Sequence, residues 1–252
     1  HGFMDSTQYV GKRMLIFGMH VHIGIKNKEL RIDIMNQMRY FMPHILALST
    51  SSPFWQGNIT GFKSFRSIIF EDLPRTGIPE TFRSYKEYDA YVKTLIKCNT
   101  IDEPTKIWWD IRPHSIYPTL EFRICDCPTR MMDALSIAAL IQALVAKLII
   151  LRNSNQSWRN YRGSLIHENK WRATKDGIKS KLLDLGKRKE VSYKKLMYEM
   201  LEFIDEVKDD LDLNNHLKAI EDIIENGSSA DRQLAIFKKT NDVKAVVDHL
   251  IE

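Results

Sequence analysis

Cysteine is scarce: three residues in 252, at Cys98, Cys125 and Cys127. So few, and an odd number, argue against a disulfide framework and for a reducing compartment, which makes a cytoplasmic location the expectation. Cys125-Asp126-Cys127 lacks C-x-x-C spacing and no His–Cys cluster offers a zinc site, so all three read as buried soft hydrophobes. Long apolar runs are missing too. The nearest, Ala134 to Leu151, is interrupted by Ser136, Gln142 and Lys147, and a membrane span needs roughly 18 apolar residues in a row. No signal-peptide pattern is present. The 37 basic residues are interleaved with 32 acidic ones, giving +5 and a pI near 9.0. Without a dense Lys/Arg tract flanked by aromatics, neither nucleic acid nor membrane is expected as a partner; a small anionic substrate suits this excess. There is no G-x-G-x-x-G, H-E-x-x-H or G-x-S-x-G. Gly57-Asn58-Ile59-Thr60-Gly61-Phe62-Lys63-Ser64 fails as a P-loop because Lys63 does not follow Gly61 directly. Internal repeats and low-complexity tracts are absent as well.

What is present is a sequence 44% hydrophobic, enough for one large domain or one domain with a helical extension. Met14 to Ile25 reads as a buried strand. Lys28 to Ser51 has helical spacing at Leu30, Ile34, Met38, Phe41, Ile45 and Leu48, with Pro43 interrupting it. Ser51 to Gly61 and Asp72 to Pro79 are loops by composition, and Ser67 to Phe70 reads as a short strand. Ser84 to Cys98 is an amphipathic helix in which Ser84 and Glu87 have capping-box spacing. Lys106 to Arg112 and Tyr117 to Cys125 are the next expected strands. After Pro128 the pattern turns helical and stays so, with helices over Thr129 to Asn153, Ser157 to Ala173, Ser192 to Val207, Asn214 to Asn226, Ala230 to Lys239 and Val243 to Ile251. The expected fold class is therefore α+β: an antiparallel sheet backed by helices, with a C-terminal helical layer. The division expected is a mixed strand-and-helix part over 1–156 and a helical extension over 157–252 packed on the same domain.

His20-Val21-His22 is the most informative motif. On a strand both imidazoles point one way, with Gly18 and Gly24 leaving open space on that face. Two such imidazoles need a metal, a phosphate or a carboxylate unless they are ordinary hydrogen-bonded core residues. Glu121 and Arg123 share a face in Tyr117-Pro118-Thr119-Leu120-Glu121-Phe122-Arg123. They can be an ion pair, or a hard oxygen ligand beside a phosphate clamp. Asp110 and Arg112 share a face after the tandem Trp108-Trp109. Arg66 and Arg75 sit beside Gly/Pro turns that let backbone approach an anion. His167-Glu168-Asn169-Lys170 and Ala230-Asp231-Arg232-Gln233 decide nothing alone.

Taken in series, Gly18-Met19-His20-Val21-His22-Ile23-Gly24, Ser51-Ser52-Pro53-Phe54-Trp55-Gln56-Gly57, Leu73-Pro74-Arg75-Thr76-Gly77, Trp108-Trp109-Asp110-Ile111-Arg112-Pro113, Pro118-Thr119-Leu120-Glu121-Phe122-Arg123 and Glu168-Asn169-Lys170-Trp171-Arg172-Ala173 resemble the bacterial carboxylate–amine ligases. These are also called type 2 glutamate–cysteine ligases. Their catalytic fold is similar to that of glutamine synthetase, and the resemblance makes 1–156 the C-terminal part of such a catalytic domain. The resemblance implies His20 and Glu121 as ligands of Mg²⁺, with Mn²⁺ as an alternative. It implies Arg123 on the transferring phosphoryl group, with Arg66 as a further catalytic cation clamping phosphate or carboxylate. His22, Arg75 and Arg112 are the groups it places towards ATP. The implied reaction joins an amino-acid carboxylate, expectedly the γ-carboxylate of glutamate, to an amine such as that of cysteine through an acyl phosphate. A homodimer is a further expectation. A glutamate-rich N-terminal strand of the family has no counterpart before His20, so on the order of 100 residues, a lobe's worth, are expected to be missing.

Two other readings stay open. A metal-dependent hydrolase using His-x-His needs further ligands at the ends of repeated βα units. The remaining histidines, His1, His44, His114, His167, His216 and His249, fall mostly on expected helices and loops. A non-catalytic nucleotide-binding relative would keep the fold without turnover.

Overall fold

The computed structural model describes residues 2–251. Helix α1 (Gly2–Lys12), broken at Gln8, leads through an extended segment into strand β1 (Val21–Gly24). The buried strand expected from Met14 narrows to these four residues: Leu15 and Phe17 are 81% and 82% exposed. Helix α2 (Lys28–Met38) starts where the Asn27 side chain accepts the Leu30 N–H at 3.0 Å. A 3-10 turn, Arg39–Phe41, separates it from α3 (Met42–Ser49). Pro43 lies in the first turn of α3, where its missing N–H costs nothing, so the interruption becomes a new helix start. All eight residues of α3 are buried, the polar His44 and Ser49 among them.

A small hairpin, β2 (Phe54–Trp55) with β3 (Asn58–Ile59), follows. The strand expected at Ser67 to Phe70 is instead α4 (Phe65–Glu71). Its β-branched run suggested extension, but Ser64 caps the segment and Ile69 is buried in helical register. Strand β4 (Thr76–Gly77) precedes α5 (Tyr85–Lys97). Half of the expected capping box forms. The Ser84 hydroxyl accepts the Glu87 N–H at 3.2 Å, while Glu87 accepts the Arg83 N–H. The strand expected over Lys106 to Arg112 divides into β5 (Trp108–Trp109), parallel to β4, and β6 (Ile111–Pro113). It divides at Asp110, whose side chain turns to a lysine on a later helix. Strand β7 (Thr119–Phe122) ends the sheet.

Helix α6 (Met131–Asn153) has the length and apolarity of a membrane span, and here it packs against α2, α3, α9 and β1. Helix α7 (Gly163–Asp176) starts later than Ser157. The helices-only expectation then fails: β8 (Lys181–Asp184) and β9 (Lys189–Ser192) form a hairpin. Leu182 and Val191 face each other across it and join the core, which is the two-residue periodicity that marks a strand. Helices α8 (Tyr193–Phe203), α9 (Asn214–Asn226), α10 (Ser229–Thr240) and α11 (Val243–Ile251) complete the chain. Of the cysteines, Cys125 alone is buried; Cys98 and Cys127 are exposed.

The central sheet has the order β1-β7-β6 and is antiparallel throughout. Val21, Phe122 and Ile111 form one row across it, and His22, Glu121 and Arg112 form the next. Successive rows face opposite sides. The Phe122 row and Leu120 bury against α2 and α6, so the Glu121 row is turned away from that core. This is the α+β architecture read from the pattern, an antiparallel sheet with helices behind it and a helical layer towards the C-terminus.

Candidate active site

Glu121 is the hub. The Arg112 Nε donates to its Oε2 at 2.8 Å from the neighbouring strand, and Arg123 Nη1 donates to its Oε1 at 2.6 Å. His20 Nδ1 lies 3.4 Å from the same Oε1 and 3.4 Å from Arg123 Nη1. Burial alone would favour a protonated carboxyl here. The hydrogen bonds and charges of Arg112 and Arg123 outweigh it and hold Glu121 at about 2. For His20, burial and then the charge of Arg123 outweigh Glu121 and bring the imidazole down to about 4. It is neutral at physiological pH, with a lone pair available. His20, Glu121 and Arg123 thus meet on one face, with Arg112 as the third strand's contribution.

Arg112 is locked further by the carbonyls of Thr105, at 2.7 Å, and Ile107. The Arg123 Nε is buried and has no hydrogen-bond partner among the described residues. A guanidinium whose open donor lies in such a cluster is suited to an incoming oxyanion.

Arg66 reaches the cluster from α4. Its Nη1 donates to the Ile124 carbonyl at 3.2 Å and its Nη2 to the Arg123 carbonyl at 3.0 Å. Gly18 makes this approach feasible. A Cβ there would stand 2.5 Å from the Arg66 guanidinium, so the open space expected beside the imidazoles is filled by Arg66. Space does remain at Gly24. Behind Arg66 lies Asp126, fully buried, 3.9 Å from its Nη1. Asp126 accepts the Ser51 N–H at 2.9 Å and the hydroxyls of Ser52 and Ser64 at 2.8 and 2.7 Å. Burial raises the pKa of Asp126 against these donors and Arg66. Asp126 escaped the sequence reading, which weighed the stretch as a cysteine pattern; its signal was an acid in an apolar run beside a strand end.

Other expected residues lie elsewhere. His22 is exposed at the rim, 3.0 Å from the Thr119 hydroxyl and edge-on to His114. Arg75, in the left-handed region at φ 59°, donates to the Lys106 carbonyl at 3.1 Å and covers the Trp108 ring. Its contacts do not include Glu121. Asp110 pairs with Lys170 of α7 at 2.6 Å, and Lys170 also holds Glu71 at 2.8 Å. Arg232 pairs with Asp133 at 2.6 Å, tying α10 to α6. These last two are structural ion pairs.

Among the described residues no three His, Cys, Asp or Glu side chains converge as a metal site. His20 and Glu121 supply two donors, a neutral imidazole nitrogen and an ionised carboxylate, both suited to a divalent ion. That covers part of the six-ligand shell of Mg²⁺ and leaves room for oxygens from elsewhere. The site carries three guanidiniums, Arg66, Arg112 and Arg123, around two carboxylates, a surplus fit for a polyanion.

The model for "Glutamate-cysteine ligase family 2(GCS2)" matches residues 2–249. A protein of Roseiflexus castenholzii named "Putative glutamate--cysteine ligase 2" is 53% identical over 250 residues, 99% of this chain and 66% of its own length. Proteins of the same name from Herpetosiphon aurantiacus and Solibacter usitatus are 51% and 48% identical, over 100% and 99% of this chain and 65% of their own lengths. The chain spans just under two thirds of these relatives. Among solved structures, a glutamate–cysteine ligase of Francisella tularensis in complex with AMP matches with TM-score 0.62 and 13% identity, over 88% of this chain and 57% of that one. At that identity the likeness is one of fold.

Proposed function

The chain belongs to glutamate–cysteine ligase family 2, and from that premise we propose that the intact protein is an ATP-dependent carboxylate–amine ligase. The observation that supports this best is the cluster of Arg66, Arg112 and Arg123 around Glu121 and neutral His20 on one sheet face. The AMP carried by the Francisella relative agrees with a nucleotide substrate. Glutamate is the expected carboxylate and cysteine the expected amine. An oxygen of the γ-carboxylate attacks the γ-phosphorus of ATP, the bond to the bridging oxygen breaks, and ADP leaves. The amine then attacks the acyl carbon, phosphate departs with the bonding pair, and the amine loses a proton.

Bringing carboxylate and triphosphate together sets anion against anion, so the site must supply positive charge where it grows. In this reading Arg123, whose Nε has no partner among the described residues, and Arg66 take the transferring phosphoryl group. Arg112 fixes Glu121 and adds charge towards the nucleotide. His20 and Glu121 would hold Mg²⁺, which when bound neutralises phosphate charge. His22 and Arg75 keep a proposed role at the nucleotide's periphery. A cytoplasmic homodimer completes the proposal.

The test is ADP release by the intact protein with Mg²⁺, glutamate and a panel of amines. Carboxylate-dependent release is expected, lowered about a hundredfold in Arg123→Met, as loss of one charge-stabilising donor does elsewhere. Mg²⁺-dependent ATP binding without turnover, under every combination, would assign the protein as a non-catalytic relative.

A further inference from the structure

A second cleft, of about 440 Å³, lies between the Thr76–Glu80 segment and the first turn of α7. It shares no residue with the His20–Glu121–Arg123 cluster. Arg39 lines it from the 3-10 turn after α2. The residue is 2% exposed, and its Nε and Nη1 are buried with no hydrogen-bond partner among the described residues. A buried charge left so is costly unless something pairs with it. Burial depresses the Arg39 pKa, and the field of Glu80, on the opposite rim, opposes this from longer range.

The neighbour of the guanidinium is a second positive feature. A Cβ on Gly163 would lie 3.2 Å from the Arg39 Nη2, so the guanidinium sits against the first residue of α7. That 14-residue helix has Arg162 as its N-cap and no side-chain cap. Its first N–H groups and its dipole therefore present positive charge beside Arg39. A guanidinium and a helix N-terminus repel each other unless an anion lies between them. Ser164, in the same first turn, adds a hydroxyl donor to the wall. Of the two acids on the cleft, Glu71 is already held by Lys170 at 2.8 Å, and Glu80 is exposed.

We propose that this cleft binds a small oxyanion, the carboxylate or phosphate of a small molecule, between the Arg39 guanidinium and the N-terminal amides of α7. The planar fork of arginine suits either group in bidentate fashion. The site is separate from the ligase chemistry, and it stands or falls independently of it.

The experiment follows thermal unfolding of the intact protein in a low-chloride zwitterionic buffer, titrated with inorganic phosphate in one arm and acetate in the other. Tm rises saturably in the wild type. In Arg39→Met, Tm without added anion equals or exceeds that of the wild type, and the titration midpoint moves at least tenfold higher. Glu80→Gln, an exposed change, lowers the midpoint by removing a competing carboxylate. Arg123→Met keeps the Arg39-dependent response, which separates this site from the ligase cluster. A response to phosphate alone identifies a phosphoryl ligand; a response to both identifies a carboxylate-accepting site. Equal titrations for wild type and Arg39→Met overturn the proposal. So does an Arg39→Met chain that is destabilised or unfolded without anion, or a Glu80→Gln chain with a raised midpoint.

Discussion

Gly18 shows how one missing side chain sets a site. The guanidinium of Arg66 lies where its Cβ would be, and that guanidinium is buried and fixed by two backbone carbonyls. Gly18→Ala therefore displaces Arg66 rather than the backbone around it. We expect ligase turnover to fall by at least tenfold while Tm moves by a few degrees or less; unchanged turnover would show that Arg66 is free to adapt. His44 makes the opposite kind of statement. It is buried in α3, and burial pushes its pKa down to about 4, against weaker upward pulls from the Tyr40 backbone and Asp184. The unfolded chain takes up a proton near pH 6.5 that the fold refuses until about pH 4. Stability therefore falls as pH drops through that window, by about 3 kcal/mol from this residue. A cavity of about 60 Å³ beside the ring gives a phenyl room, so His44→Phe should fold. Urea unfolding at pH 7.5 and 4.5 should show the wild type losing about 2–3 kcal/mol more than His44→Phe. Of these residues the sequence revealed the ones that share a strand face, because alternation is local. Gly18's role was hidden, since its partner Arg66 is 48 positions away and arrives through tertiary packing.

At the scale of elements, the strand break at Asp110 and the docking of α7 are one event. Lys170 is fully buried between Asp110, at 2.6 Å, and Glu71, at 2.8 Å. Burial lowers its pKa, yet the two carboxylates outweigh this and raise it, so the lysine stays charged. It joins α7 to the end of α4 and to the sheet edge. Lys170→Met leaves Asp110 buried without its cation, which costs about 3–5 kcal/mol. The double variant Asp110→Asn with Lys170→Met should regain a good part of that, because the stranded charge goes too. Additive losses in denaturant titrations would show the pair to be uncoupled. The sequence displayed these elements unevenly. Helices with a wide apolar face, such as α6 and α9, were visible with near-correct ends, whereas α4 was read as a strand. Its apolar run, Ile68-Ile69-Phe70, is too short to show a period, and its helical state is set by the Ser64 cap and by packing. The β8–β9 hairpin was hidden for a related reason: its strands are four residues each, too short to show alternation until the pairing of Leu182 with Val191 is known.

The whole molecule connects its C-terminal helices to the sheet face that carries Glu121 and Arg123. The capping box of α10 is closed by Ser228 and Asp231, and the same turn reaches across 178 positions of sequence. The Thr50 hydroxyl donates to Ser228 at 2.8 Å, the Ser51 hydroxyl to Ser229 at 2.9 Å, and the Gln233 amide to the Ser51 carbonyl at 2.9 Å. Ser51 in turn gives its N–H to Asp126, the buried acid behind Arg66. A chain of four residues, Gln233, Ser51, Asp126 and Arg66, therefore runs from α10 to the guanidinium proposed to clamp the phosphoryl group. Its members are polar, with Gln233, Asp126 and Arg66 buried and Ser51 half-buried, so a lost partner at a buried member leaves an unsatisfied group worth about 1–3 kcal/mol. A helical layer that merely covered the core would lack such a link, and periodicity could not reveal it, because it joins the end of one expected helix, at Thr50 and Ser51, to Ser228 and Ser229, which lie 178 positions away between two others. If the link matters, Gln233→Ala should lower carboxylate-dependent ADP release about tenfold, by about 1.4 kcal/mol of transition-state stabilisation, with a small loss of Tm. Removing residues after Asn226 should abolish turnover, even where circular dichroism shows that the remaining helices have formed. A truncated protein that turns over ATP at the full rate would mean that Asp126 and Arg66 hold their geometry from the sheet alone, and that the contacts of α10 serve stability only.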